Sequence, residues 1–381
     1  MKNKKKQVIK THRQLVGEIK YLIDQARQNV FRKINTELLI TYWRIGSLVV
    51  SKEKQDNGTE KSSRQFILEL SRELTQQVGK GFSRSNLFSM RQFYLQYKFV
   101  QTLSGHEPVK TVQTLSGQKS IRSKSAKSKS KNSEESIGKS ISLQLSWSHY
   151  CELIKIEDDL QRGFYQQQSI NENWSVRDLQ RQIGVALFER IALSKNHRGV
   201  MALARKGHVI KSEMDIAREP YVLEFLNIPE KHHYSEKQLE QKIIDNLQRF
   251  VLELGNGFTF VGRQFRITLD NTHYRIDLVF YHRILRCFVL FDLKVKEVKH
   301  NDIGQMNLYL NYFEAEQNMA GDNLPIGIIL TRHKGEVMVE YALRGISNKI
   351  FVSKYQLYLP DKKVLQKKVR ELLGPRKKSL K

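Results

Sequence analysis

A chain of 381 residues has room for two or three domains, each with a sizeable core. Lys and Arg number 65 against 39 Asp and Glu, a formal net charge of +26. That excess favours a polyanionic partner, nucleic acid ahead of acidic lipid heads, because cations neutralise phosphates and release condensed counterions. No run approaches the ~18 apolar residues of a membrane span. The polar stretch Gln7–Gln14 after a basic start lacks the core of an export signal. Two distant cysteines, Cys151 and Cys287, with no spaced Cys/His cluster, build no zinc site. A cytoplasmic protein is expected, with nucleoid association as an extension.

The N-terminal part reads as helical. Leu15, Ile19, Leu22, Ile23 and Ala26 recur at three- and four-residue steps, which makes one apolar face. A second helix is expected near Val30–Val50, with Ile34, Leu38, Leu39, Tyr42, Ile45 and Val49 inward, and a third over Ser63–Val78. Gly79 and Gly81 then break the pattern, and Ser83 is a good N-cap for the next helix. This outlines a candidate helix-turn-helix, with Leu87, Met90 and Phe93 inward. Arg84, Asn86 and Arg91 face outward as candidate nucleic-acid contacts in or across a DNA groove. An ordinary helical corner with a solvated face is the alternative.

Between residues 100 and 141 the composition changes. The unit Val-Gln-Thr-Leu-Ser-Gly occurs at Val100–Gly105 and Val112–Gly117, and Ser and Lys dominate Lys119–Ser140. So few apolar residues cannot offset chain entropy, so a disordered basic linker is expected. Helices resume at Trp147, around Phe164–Tyr165 and from Ser175, where Asp178 completes a loose capping box. The aromatics here are assigned to core, and His149 to a structural role. Lys195–Lys211 reads as an exposed connection.

From Ser235 the texture becomes mixed. An amphipathic helix over Glu236–Leu254 stops at Gly255 and Gly257. Strands are expected at Phe258–Ile267, Tyr274–Tyr281 and Arg286–Val295, a helix at Ile303–Met319, and a buried strand at Ile326–Thr331. Asp277 lies inside one apolar strand. Asp292 and Lys294 lie two apart inside the next, hence on one face. Charges there are costly to bury without a purpose. Mg²⁺ between Asp277 and Asp292 resolves the conflict, because hard carboxylate oxygens suit it and its charge serves phosphodiester hydrolysis. Mn²⁺ is a plausible substitute. Lys294 beside it can orient or help deprotonate the attacking water and stabilise the transition state. A buried structural ion pair, of Asp277 or Asp292 with Lys294 or Arg275, is the competing explanation.

The D…(D/E)xK order in a helix, three strands, helix, strand frame resembles the PD-(D/E)xK nucleases. Several runs are closer to the bacterial YhcG-type family: Tyr221–Leu226, Gly257–Gln264, Ile276–His282 and Gly304–Met306. Asn35–Leu39, Tyr42–Gly46, Met90–Tyr94 and Trp147–Tyr150 resemble its N-terminal domain of unknown function. The resemblance implies Asp277 and Asp292 as metal ligands and Lys294 as the catalytic lysine. Two positions depart from the pattern. Asp292 stands where most such proteins carry Glu, which draws the carboxylate back by roughly 1.5 Å, and Ile276 replaces the proline. Glu240, on the helix before the strands, is a candidate third ligand. Gln305, after Lys294, is a candidate site residue, whereas His282 at a strand end is not.

The expected fold is therefore α+β overall, with a mainly α-helical N-terminal part and a C-terminal α/β restriction-endonuclease-like core. The expected divisions are a helical domain at 1–99, the linker at 100–141, a helical continuation at 142–215, the nuclease domain at 216–361 and a basic tail at 362–381. The expected activity is metal-dependent cleavage of DNA. RNA as substrate, and a non-catalytic nucleic-acid-binding or assembly protein with a lapsed nuclease fold, stay as alternatives. A homodimer and an unidentified partner protein are compatible with the sequence.

Overall fold

The structure is a computed structural model that describes residues 2–55, 60–97, 140–217, 220–229, 233–333, 335–358 and 361–373. The expected linker lies outside the described residues except for its last two, as does the end of the basic tail. The chain divides into two compact units, Met1–Gly163 and Phe164–Lys381.

The first unit is helical: α1 (Lys2–Gln55), α2 (Glu60–Gln77), α3 (Arg84–Gln96) and α4 (Trp147–Leu153). Where the sequence suggests two helices up to Val50, one continuous helix forms. The stretch Ala26–Val30 holds no Gly or Pro, so nothing interrupts the hydrogen-bond ladder. Leu15, Ile19, Leu22, Ile23 and Ile34 are roughly half exposed rather than packed. The core instead forms further along, where Val49 meets Ile67, Leu87 and Met90. Helices α1 and α3 meet closely at Gly46, where an added Cβ would lie 2.1 Å from the Met90 carbonyl oxygen. Ser83 caps α3, accepting the Asn86 N–H at 3.3 Å.

In the second unit a six-stranded mixed sheet runs in the order β1-β6-β5-β4-β3-β2. Its strands are β1 (Tyr221–Val222), β2 (Phe258–Leu269), β3 (Thr272–His282), β4 (Cys287–Lys294), β5 (Ile326–Thr331) and β6 (Lys349–Gln356). Strands β2, β3 and β4 form an antiparallel meander, and β4, β5, β6 and β1 run parallel. Helices α9 (Glu236–Asp245) and α10 (Leu247–Leu254) supply Leu239, Ile243, Phe250 and Leu254 to one apolar layer. Helix α11 (His300–Tyr312) supplies Ile303, Met306, Tyr309 and Leu310 to the other. Gly327 on β5 lets α11 close in, since a Cβ there would lie 2.6 Å from Met306 Cγ. Helices α12 (Glu336–Leu343) and α13 (Lys362–Leu373) complete the C-terminal end.

The helix expected over 236–254 breaks at Asn246, whose side-chain amide donates to the Lys242 carbonyl at 3.0 Å and competes with the backbone ladder. Strands β1 and β6 were not expected. Helices α5 (Asp159–Asn171), α6 (Val176–Gly184), α7 (Leu187–Leu193) and α8 (His197–Lys206) precede the sheet, α8 forming where an exposed connection is expected; α6, α7 and α8 belong to this unit, which therefore begins well before residue 216. Ion pairs tie α6 and α7 in: Arg181 Nε lies 3.0 Å from Glu224 Oε1, and Arg190 Nη1 lies 2.8 Å from Glu253 Oε1. Glu253, fully buried, also accepts the Val222 N–H at 3.0 Å, which pins β1.

Candidate active site

The site forms where three strands present polar side chains in one row. Strands β3 and β4 pair from His282↔Cys287 to Leu278↔Phe291, so Asp277 and Asp292 stand opposite each other one step further, where the ladder stops. On the other side of β3, Gln264 lies opposite Asp277, between the pairs Arg263↔Leu278 and Phe265↔Ile276. The Asp277 Oδ2 accepts the backbone N–H of Leu293 at 2.7 Å, which fixes that carboxylate against β4. Strand β4 is flanked by β3 and β5, so Asp292 is buried, with 6% of its surface exposed.

The Lys294 ammonium sits 2.9 Å from Asp292 Oδ2 and 3.6 Å from Asp302 Oδ1 of α11. The first contact is a largely buried ion pair. Burial pushes the Asp292 carboxyl up to about 7, against the opposing pull of Lys294, and Asp277 adds to the rise. Burial also raises Asp277, although the Leu293 N–H, Lys294 and Gln264 favour its charged form. Burial lowers the Lys294 ammonium, but Asp292, Asp302 and Glu236 outweigh it. The net shift is upward, so the side chain stays cationic.

Gln264 carries a signal that sequence reading missed. Strand β2 has a bulge between Phe260 and Gly262, and Gln264 adopts a left-handed backbone with φ 47°. Its amide then donates to Glu240 Oε2 at 2.8 Å and to Asp277 Oδ1 at 3.0 Å. A non-glycine residue held in this region is strained, and such strain gathers at functional sites. Gln264 closes the family-like run Gly257–Gln264, which was the one available hint. Glu240 is thus brought to the edge of the acidic pair. Burial and then the charge of Asp277 raise its carboxyl.

The other sequence candidates fall differently. Gln305 donates to the Tyr309 hydroxyl at 2.5 Å, and that hydroxyl donates to the Arg275 carbonyl at 3.2 Å, so Gln305 braces β3 against α11. His282 is fully buried, accepts the Leu285 N–H at Nδ1 and meets the Asn256 carbonyl at Nε2, as a turn brace. In the first unit Arg84 is exposed. Arg91 is held by Glu53, with Nε 2.7 Å from Oε2. Asn86 donates to the Gly81 carbonyl at 2.5 Å and accepts the Trp147 indole N–H at 2.9 Å.

Among the described residues, no three His, Cys, Asp or Glu are gathered as a ready metal cage. The donor set nevertheless fits a hard divalent cation. It offers two opposed carboxylates, one of them buried, and a third acid linked through the Gln264 amide. Asp277, Asp292 and Glu240 are the residues that could hold it.

The YhcG PDDEXK nuclease domain family matches residues 214–370, and the DUF1016 N-terminal domain family matches residues 18–190. The Escherichia coli (strain K12) protein named "Putative nuclease YhcG" is 36% identical over 358 residues, spanning 93% of this chain and 92% of its own. The chain belongs to the YhcG nuclease family. The nuclease match of this YhcG family member contains Glu240, Asp277, Asp292, Lys294 and Gln305. The N-terminal match contains Arg84, Asn86 and Arg91. Among solved structures, a repair endonuclease from Pyrococcus abyssi aligns with TM-score 0.24 and 17% identity over 35% of this chain and 50% of that one. EndoMS in apo form aligns with TM-score 0.23 and 18% identity over 34% and 48%.

Proposed function

We propose that the protein is a Mg²⁺-dependent endonuclease that hydrolyses phosphodiester bonds of DNA at the Asp277–Asp292–Lys294 centre. The observation that carries this is the opposed pair of carboxylates, half-buried Asp277 and buried Asp292, with the Lys294 ammonium 2.9 Å from Asp292 Oδ2, where the β3–β4 ladder ends. Two carboxylates gathered away from water repel one another, and a divalent cation between them removes that cost. Asp277 and Asp292 would hold Mg²⁺, or Mn²⁺ in its place, with Glu240 as an outer acid. When bound, the ion supplies positive charge against the scissile phosphate and makes nearby water more acidic.

The chain's own groups do the rest. Lys294 stays protonated beside Asp292 and Asp302, so it serves as a fixed cationic donor. It can orient the attacking water and meet charge that develops on the phosphate. The Leu293 N–H and the Gln264 amide fix both oxygens of Asp277, so this carboxylate arrives oriented. The net charge of +26 and the exposed Arg84 support attraction and delivery of DNA, consistent with work in the cytoplasm or at the nucleoid. No helix among the described residues is long and apolar enough to cross a membrane.

Cleavage of supercoiled plasmid in Mg²⁺, Mn²⁺ or EDTA, by the wild type and by Lys294→Ala, tests this directly. We expect metal-dependent nicking or linearisation that the variant loses while plasmid binding persists. Binding without cutting in every metal would overturn it. A second reading, a non-catalytic nucleic-acid-binding protein, is favoured by one observation: Lys294 already compensates the Asp292 charge at 2.9 Å. Calorimetric titration with Mn²⁺ separates the two, because that reading expects no heat that depends on Asp292.

A further inference from the structure

A second concave site lies beside the candidate centre. At the carboxyl ends of parallel strands β5 and β6 there is a cavity of about 630 Å³, lined by Glu297, Arg332, His333, Lys354, Gln356 and Tyr358, among others. That volume lies within the range of small-molecule sites. The outer carboxyl ends of parallel strands are where α/β sheets bind ligands. Three of these side chains are basic types and one is an exposed aromatic, Tyr358, at 48% exposure. The floor is cross-linked: the Tyr355 hydroxyl bonds that of Tyr234 at 2.9 Å, and the Thr331 hydroxyl lies within donating distance of the Lys296 and His333 carbonyls.

The sheet register ties the cavity to the cutting centre. Lys294 pairs with Thr331, and Thr331 with Lys354, so Lys354 stands two strands from Lys294 on the same face. Two strand spacings are about 10 Å. A nucleic-acid strand covers that distance in about three nucleotides at its rise of ~3.4 Å. The cavity's acid, Glu297, folds over Gly335, where a Cβ would meet its Oε1 at 2.6 Å. A carboxylate there repels a bare anion. It can instead accept from a base amino group or a sugar hydroxyl.

We propose that this cavity is a nucleotide subsite for the strand being cut, with Arg332, His333 and Lys354 on a phosphate and the Tyr358 ring against the base. The proposal rests on the nuclease reading for its purpose, but the cavity can be probed without cleavage. Full-length protein in EDTA is titrated with deoxycytidine 5′-monophosphate and, separately, with inorganic phosphate, using wild type, Lys354→Ala and Tyr358→Ala. We expect saturable binding of the nucleotide, tighter than that of phosphate. Lys354→Ala should weaken both ligands about 10-fold. Tyr358→Ala, at an exposed position that folding does not need, should weaken the nucleotide several-fold and leave phosphate unchanged. Phosphate bound as tightly as nucleotide, no saturable binding, or binding unchanged in both variants would overturn the proposal.

Cleavage of a short oligonucleotide supplies the second readout. Lys354→Ala should raise KM several-fold with kcat kept. If no protein cuts but nucleotide binding follows Lys354 and Tyr358, the subsite stands and the nuclease reading falls. If the wild type cuts and Lys354→Ala alters neither KM nor nucleotide binding, the subsite falls and the nuclease reading stands.

Discussion

In the helical first unit, side chains that look like DNA contacts are used to hold the unit itself: Asn86 joins Gly81 to Trp147, and Arg91 answers Glu53. In the sheet unit, Asp292 is buried at a ladder's end, opposite a second carboxylate, Asp277. Polar residues at equally suggestive sequence positions thus do different work. Where donors and acceptors close on one another, the residue maintains shape. Where like charges are gathered out of water, the structure is prepared for a counter-charge to arrive.

The sharpest break in this comparison should come from Lys294→Ala. Losing a fixed cationic donor should lower the plasmid cleavage rate by on the order of 100- to 1000-fold, while plasmid binding persists. A residual rate within tenfold of wild type would put Lys294 among the shape-keeping residues. Next is Glu253→Ala, which strands Arg190 in the interior of the same unit. Breaking a buried pair from one side costs roughly 3–5 kcal/mol, so the urea midpoint should drop steeply. A small drop would mean that water reaches Arg190.

Asp292→Asn tests the buried carboxylate by pH. Burial pushes the folded group up to about 7, above the ordinary aspartate value of 3.8. Between those values the folded state binds more protons than the unfolded one, so this group makes stability fall as pH rises. Metal-free Asp292→Asn should therefore melt higher than wild type at pH 8, with the difference shrinking toward pH 4. A difference independent of pH would show that Asp292 ionises normally. The smallest effects belong to the helical unit. Arg84→Ala should reduce the salt slope of DNA binding by about 1. Arg91→Ala should leave that slope alone and lower stability by about 1 kcal/mol or less, as for a partly exposed pair. Interchanged outcomes would reverse the roles assigned to these two arginines.

Much of the sheet unit was legible because strand periodicity places Asp277, Asp292 and Lys294 without knowledge of neighbours. The strand Ile326–Thr331 is found where the apolar run predicts it. What stayed hidden depends on contacts across the fold. Strand β1, with only two residues, exists through its pairing with β6 and the grip of Glu253 on Val222. The role of Gln264 depends on a backbone conformation that no side-chain pattern encodes. Arg91 looked free because its partner, Glu53, is 38 positions away. Leu15, Ile19 and Ile34 show the reverse: apolar periodicity gave the helix correctly, but not whether its face would be covered.

The bulge in β2 has a further consequence, for solubility. This strand is 12 residues long and lies at the sheet's margin, where unpaired backbone groups invite another chain to add on. The displaced register at Phe260/Gly262, together with Arg263 and Arg266, makes that margin a poor template. The strand that turns Gln264 toward the acids thus carries, a few residues earlier, a guard against growth of the sheet from one molecule to the next. Variants that straighten β2 should lose protein to aggregation even where their cleavage chemistry survives.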